Sequence, residues 1–353
     1  MAALINSFNA KIENVFSHLI TTITTQLPTA SIWLGMVLLA MGVIGLWKGA
    51  DWLVAGASHM AKCWGVSSLM IGLTIVAVGT SLPEMVVSVN AALTGSSDIA
   101  LSNIVGSNIS NVFLILGITA LISPIKVARS TVMVDTPVAI AASLLLLLFY
   151  HLGQIGTIPA VILFVGAASY LAYTIYAGKT KAPSTNKKCS ANKSHPKLKI
   201  GWLGRDVYLI VVGLVVLILG GTITVEGAKI IATQLGISQV LIGLTIVAVG
   251  TSLPELVTSI ICALRKETDL AVGNIVGSGI LNTLLILGVA GMIAPIKINS
   301  ELHFDLWINL LTFSLVLLMV RGQKKPKLTH YQGIILLSTY LLYLSMIVGR
   351  ELL

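Results

Sequence analysis

Long apolar runs separated by short polar gaps dominate this chain. They fall at about 31–58, 66–94, 99–122, 132–150 and 155–178, and again at about 206–232, 237–264, 269–293, 303–321 and 330–349. Each approaches or exceeds the roughly 20 residues that an α-helix needs to cross a bilayer. The runs are continuous rather than alternating, so the pattern predicts ten membrane helices and not a β-barrel. Between the two series, residues 179–204 are polar, contain proline and carry seven lysines, which reads as a solvated basic linker. The expected organisation is an N-terminal segment 1–30, a first five-helix unit 31–178, the linker 179–204 and a second five-helix unit 205–353. In the N-terminal segment Leu4, Phe8, Ile12, Val15, Leu19 and Ile23 recur at helical spacing between polar residues. This predicts an amphipathic helix on the outer membrane surface rather than a secretory signal.

Charge orients the helices. With the linker in the cytoplasm, 18 of the 22 basic residues lie on the inner side, and only Lys11, Lys229, Lys297 and Arg350 lie outside with both termini. The lysine run is thus a topology signal, and no nucleic-acid partner is implied. Five spans per unit is an odd number, so the second unit enters the membrane upside down relative to the first. The expected fold is all-α and integral to the membrane, with ten transmembrane helices as two inverted five-helix repeats. That plan typifies secondary transporters, whose binding site lies at the midplane between the repeats.

Composition agrees with a bilayer as solvent: 56% of residues are hydrophobic and 10% charged, against roughly 25% charged in a soluble domain. Six histidines are scattered without ligand spacing, and Cys63, Cys189 and Cys262 form no CxxC pair. Neither a transition-metal site nor a disulfide framework is expected.

The repeat is explicit in the sequence. Ile71 to Glu84 (IGLTIVAVGTSLPE) recurs unchanged from Ile242 to Glu255, 171 positions later. At the same offset Asn103 to Ser107 recurs as Asn274 to Ser278, and Leu114 to Gly117 as Leu285 to Gly288. Each copy sets a carboxylate, Glu84 or Glu255, inside an apolar stretch without a lysine or arginine to neutralise it. A buried charge is costly, and inside a membrane it marks function. Gly79 with Pro83, and Gly250 with Pro254, predict a helix interrupted near mid-bilayer, tolerated only where it is buried or lines a cavity. Thr80, Ser81, Thr251 and Ser252 add hydroxyls. Asn103, Ser107, Asn108 and Asn111 add oxygens in the first copy, and Asn274, Ser278 and Asn282 in the second, where Gly279 replaces Asn108. Hard oxygen donors of this kind suit sodium and calcium. Taken singly, the small residues equally serve close helix packing and the amides interhelical hydrogen bonds. Of the remaining acids, Asp51 can pair with Lys48 and Glu226 with Lys229, each three residues apart. Asp135, Asp206 and Asp305 lie near span ends, where the interface accommodates charge.

The paired GTSLPE and GNIVGS-type motifs resemble the α-repeats of the sodium/calcium exchangers, within the cation/calcium antiporter superfamily, over both five-span halves. The short linker is similar to that of prokaryotic members, which implies a plasma (inner) membrane location. The resemblance implies ion sites surrounded by spans two, three, seven and eight, with spans one and six sliding to alternate access. It makes Glu84 and Glu255 ligands shared by calcium and sodium. Thr80, Ser81, Thr251 and Ser252 would contribute hydroxyls or carbonyls, and Ala77 and Ala248 backbone carbonyls. Ser107 and Ser278 would serve outlying sodium sites, and Asn111 and Asn282 the centre. Some members carry an aspartate where this chain has Asn282, so the site here holds at most two permanent charges.

The expected activity is sodium/calcium antiport, with both ions as substrates, no cofactor, no enzymatic chemistry and a monomer as the assembly. Proton/calcium or potassium-coupled exchange is the alternative. The proton-coupled branch is expected to carry an acid where this chain has Gly106 and Gly277. An acid/base enzyme is disfavoured because general acid and general base need different environments, and these two glutamates stand in identical sequence stretches. A passive channel would show flux without counter-ion dependence.

Overall fold

A computed structural model describes residues 28–180, 201–237 and 248–352. The first repeat runs α1 (Pro28–Trp64), α2 (Ser68–Thr80), α3 (Leu82–Leu93), α4 (Ser97–Ile122), β1 (Ile125–Lys126), α5 (Thr131–His151), β2 (Gln154–Ile155) and α6 (Thr157–Thr180). The second runs α7 (Gly201–Gln234), α8 (Ala248–Gly250), α9 (Leu253–Leu264), α10 (Thr268–Ile293), β3 (Ile296–Lys297), α11 (His303–Val320), β4 (Lys327–Leu328) and α12 (His330–Leu352). Among the described residues seven helices are long and apolar enough to span a membrane, and the bent pair α2–α3 makes an eighth. Helix α9 occupies the second half of the expected span 237–264, and α12, 23 residues long, occupies the last. The amphipathic segment expected over 1–30 lies, up to residue 27, outside the described residues. So do 181–200 of the linker and 238–247 of the second motif. Thr180 and Gly201, assigned to the linker from sequence, are helical.

The two halves are related by exchange of equivalent parts. β1 pairs antiparallel with β4, and β2 with β3, so each repeat's first strand meets the other's second. Likewise the end of α4 packs on α12 while the end of α10 packs on α6. Polarity is arranged inside out. Large apolar side chains such as Met133, Ile158, Leu318 and Leu341 point outward, while Glu84, Asn111, Glu255 and Asn282 are wholly buried. Helices α4 and α10 are the most enclosed, at 78% and 83% buried, against 22% for α1 and 33% for α7. The polar centre therefore lies between α3, α4, α9 and α10, and α1 and α7 lie at its side.

α1 and α7 pack along a seam of glycines. Gly42, Gly49 and Gly56 recur 171 positions on as Gly213, Gly220 and Gly227, each series at seven-residue spacing. A Cβ on Gly49 would lie 2.8 Å from the Gly213 carbonyl, and one on Gly227 would lie 2.7 Å from that of Gly35. Residues ascending in α1 thus meet residues descending in α7, an antiparallel pair in backbone contact. A seven-residue repeat keeps such a seam in register over its whole length.

At one end of the seam α1 is tied to the α9–α10 turn. Lys62 pairs with Glu267 at 3.0 Å, and Arg265 with Asp51. The latter corrects the expected Asp51–Lys48 pair, because a lysine three residues away on the same helix competes poorly with a guanidinium that reaches two bonds to Asp51 from the turn. Glu226 and Lys229 pair as expected, at 2.7 Å. His59 and Asp206 meet at 2.7 Å, with the Cys63 sulfur 3.7 Å from the imidazole. Cys63 takes part in a disulfide, which the cysteine spacing did not predict, so its sulfur is not available as a thiolate ligand.

Candidate ion-binding site

The repeated motif breaks its helix where the sequence places glycine, hydroxyls and proline together. α2 ends at Thr80, Ser81 leaves helical geometry, and α3 restarts at Leu82 with a bend of 48°. Ser252 has almost the same backbone angles before α9. Pro83 and Pro254 each sit in the first turn of the new helix, where a missing amide hydrogen costs nothing. Glu84 and Glu255 occupy that same turn. The positive end of a helix dipole therefore faces each buried carboxylate.

Both carboxylates are fully buried and close enough for their charges to interact. Ser81 of the first repeat donates to Glu255 Oε1 at 3.1 Å, which ties the two motifs together. Ser252, its counterpart, lies beside Glu84 together with Ser107 without forming a proper hydrogen bond. Among the described residues both Glu84 oxygens, Glu255 Oε2, Thr251 Oγ1, Ser252 Oγ, Ser278 Oγ, Asn282 Oδ1 and both amide atoms of Asn111 are buried without a partner. Buried polar atoms are nearly always paired, and each orphan costs about 1–3 kcal/mol. So many together, nearly all of them oxygens, make this cluster the candidate site for a hard cation.

Asn111 and Asn282 both sit where α4 and α10 widen into π-helical turns, at 110–116 and 282–286. Such turns break the ordinary helical ladder and recur at functional positions. The turn carrying Asn282 packs on α3, which bears Glu84, and that carrying Asn111 packs on α9, which bears Glu255. Each half of the site therefore takes oxygens from both repeats.

The predicted set is largely brought together. Ala77, Thr80, Ser81, Ser107, Ser252 and Ser278 are buried with the two glutamates and two asparagines, and Thr251 is partly buried. Ala248 is helical, and its side chain is outside the description. The Ala77 carbonyl accepts from Ser81 N at 3.1 Å and, at 3.5 Å, from the Thr80 hydroxyl. Thr80 is partly committed elsewhere: its hydroxyl lies 2.9 Å from Asn274 Oδ1 and 3.1 Å from the Val76 carbonyl. Asn103 and Asn274 are braces, donating to Ser88 at 3.0 Å and to Ser259 at 3.3 Å. Those serines were not picked out from sequence, although they too repeat at an offset of 171.

The model of the sodium/calcium exchanger protein family matches residues 34–177 and, a second time, 206–349. The chain belongs to that family. It is 38% identical over 309 residues to CaxA of Alkalimonas amylolytica, named as a proposed antiporter, covering 87% of this chain and 96% of that one. It is 31% identical over 340 residues to the sodium/calcium exchanger MaX1 of Methanosarcina acetivorans, covering 87% and 97%. The inner membrane protein YrbG of Escherichia coli is 29% identical over 314 residues, with 89% and 97% covered. Structures of the sodium-calcium exchanger NCX_Mj superpose with a TM-score of 0.76 at 30% identity, covering 89% of this chain and 99% of that one. This family member is thus a membrane transporter built from two repeats, and not an enzyme.

Proposed function

We propose that the chain exchanges sodium for calcium by alternating access, with Glu84 and Glu255 as ligands shared by both ions. The observation that carries this reading is Glu84, whose two carboxylate oxygens are buried without a partner among hydroxyl and amide oxygens of both repeats. One calcium and two carboxylates leave no net charge, which offsets much of the cost of burying either. Sodium ions need the same carboxylates, so the two substrates cannot be held together, and competition enforces exchange. Ser81, Ser252, Thr251 and the Ala77 and Ala248 carbonyls complete the central shell, with Asn111 and Asn282 across it. Ser107 and Ser278 serve flanking sodium sites, and the Thr80 contribution passes through its backbone.

Access alternates as the α1–α7 pair, joined by its glycine seam, slides along the polar centre. The basic linker lies in the cytoplasm of a prokaryotic cell, both termini lie outside, and calcium leaves as sodium enters. Calcium uptake into everted vesicles, driven by a sodium gradient with the proton gradient collapsed, tests the coupling. Uptake under those conditions is expected. Uptake that instead requires a proton or potassium gradient overturns sodium coupling, and flux indifferent to every counter-ion overturns antiport.

A further inference from the structure

We infer that Asn108, anchored by Thr283, is a positioning residue that holds Asn282 with its carbonyl oxygen toward the cation. This rests on the proposal that Asn282 belongs to the ion site. Asn108 lies on α4, outside the exchanged motif pairs, and is wholly buried. Its Nδ2 donates to Thr283 Oγ1 at 2.9 Å, and its Oδ1 accepts from Asn282 Nδ2 at 3.3 Å. An amide has two unlike ends, and which way it points is decided by the network that engages it. With the nitrogen of Asn282 engaged, its oxygen is the end left over, and that oxygen is buried without a partner. Turned the other way, the side chain would present two N–H donors to a cation, which cannot ligate it.

The brace exists in one direction only. At the repeat-related positions stand Gly279 for Asn108 and Val112 for Thr283. The space that an asparagine would need at Gly279 is filled by Phe313, whose Cε1 lies 3.2 Å from where a Cβ would be. Asn111, the counterpart of Asn282, accordingly has neither amide atom engaged. One amide of the site is therefore fixed with its oxygen inward and the other is free to turn, although their own sequence positions are equivalent.

A carboxylate in place of Asn282 supplies the decisive comparison, because its two ends are alike and need no orienting. Calcium affinity is measured by titration calorimetry in sodium-free buffer on the full chain, Asn108→Ala, Asn282→Asp, the double variant and Thr283→Val. Asn108→Ala is expected to weaken calcium binding about tenfold, the effect of about 1.4 kcal/mol, in the Asn282 chain. In the Asn282→Asp chain the same change is expected to cost less than about twofold. Thr283→Val should follow Asn108→Ala in direction, while Thr283→Ser, which keeps the hydroxyl, should bind like the parent. Equal losses in both backgrounds would make Asn108 a packing residue and overturn the inference, as would no loss in either. Glu255→Gln separates this from the site itself. If that variant binds calcium normally, the ion-site reading falls with it; if it does not bind while Asn108→Ala does, only the orienting role is lost.

Discussion

Glu84 and Glu255 occupy matching positions but not matching surroundings, and this makes their glutamine variants distinguishable. Both changes are isosteric and remove one of two charges. Breaking a buried ionic pair from one side costs about 3–5 kcal/mol, or roughly two to four orders of magnitude in calcium Kd. At a free calcium concentration ~100 times the parent Kd, binding stabilises the parent by about 2.7 kcal/mol. A Kd raised at least ~100-fold leaves at most about 0.4 kcal/mol of that. The calcium-free proteins should differ as well. Glu84 has two unpartnered buried oxygens, while Glu255 has one and accepts from Ser81 with the other. Glutamine at 84 removes a buried carboxylate with no partner, worth about 1–3 kcal/mol. Glutamine at 255 leaves Ser81 to be satisfied again and should gain less. Thermal unfolding in detergent, with and without calcium, reads both effects. The expected order of calcium-free stability is Glu84→Gln, then Glu255→Gln, then parent, with calcium-induced stabilisation confined to the parent. Calcium stabilising Glu84→Gln as much as the parent would refute the assignment.

Three further outcomes follow from the helices around the site. Gly213→Ala would bring a Cβ within 2.7 Å of Leu53 N and 2.9 Å of the Gly49 carbonyl. Backbone cannot yield as side chains do, so exchange should fall at least about tenfold while calcium binding changes little, with overpacking costing about 1–3 kcal/mol; unchanged vesicle uptake would exclude the seam as the joint that makes α1 and α7 move together. Replacing Arg265 and Lys62 with glutamine removes two half-exposed ion pairs worth about 0.2–1 kcal/mol each. The doubly substituted chain should shift toward the opposite-facing state, read as accessibility to a thiol reagent, and should lose the salt sensitivity of that equilibrium. Tyr170→Phe deletes the 3.0 Å bond to Asp135 and should lower stability by about 0.6–1.7 kcal/mol without moving calcium Kd.

What could be read from the sequence was what periodicity and identity encode. Fourteen identical residues revealed the repeat, the odd number of spans per repeat pointed to the inversion, and an unneutralised glutamate in an apolar run pointed to the candidate site. What could not be read was pairing between residues far apart in the chain. Arg265 takes Asp51 from 214 positions away, and nothing in the local spacing distinguishes it from Lys48. Asn108 and Thr283 meet across 175 positions, and in the sequence Asn108 looked like one more oxygen donor rather than the brace of another. The glycine seam was available as a seven-residue spacing but was masked by the apolar run that contains it. The His59–Asp206 pair, 147 positions apart, was invisible for the same reason as the others.

An inverted repeat with identical halves would favour its two facing states equally, because each is the other with the halves exchanged. Departures between the halves must therefore supply any bias. At the ends of the spans, Asp51, Lys62, Arg265 and Glu267 have Thr222, Thr233, Thr94 and Ser96 as their counterparts. Two ion pairs thus hold one end of α1 to the opposite repeat in the conformation described, and uncharged residues stand at the equivalent places of the other end. Thr94 and Thr222 are both exposed here, as expected of positions that approach each other only in the other state. Thr222→Asp with Thr94→Arg would build the missing pair there. It should stabilise the opposite-facing state by about 0.2–1 kcal/mol, partly restoring the balance, and should do so less in high salt. The single variants supply the control, since either charge alone lacks its partner. If the double variant shifts accessibility no more than the two single ones together, the ends of the spans do not set the bias.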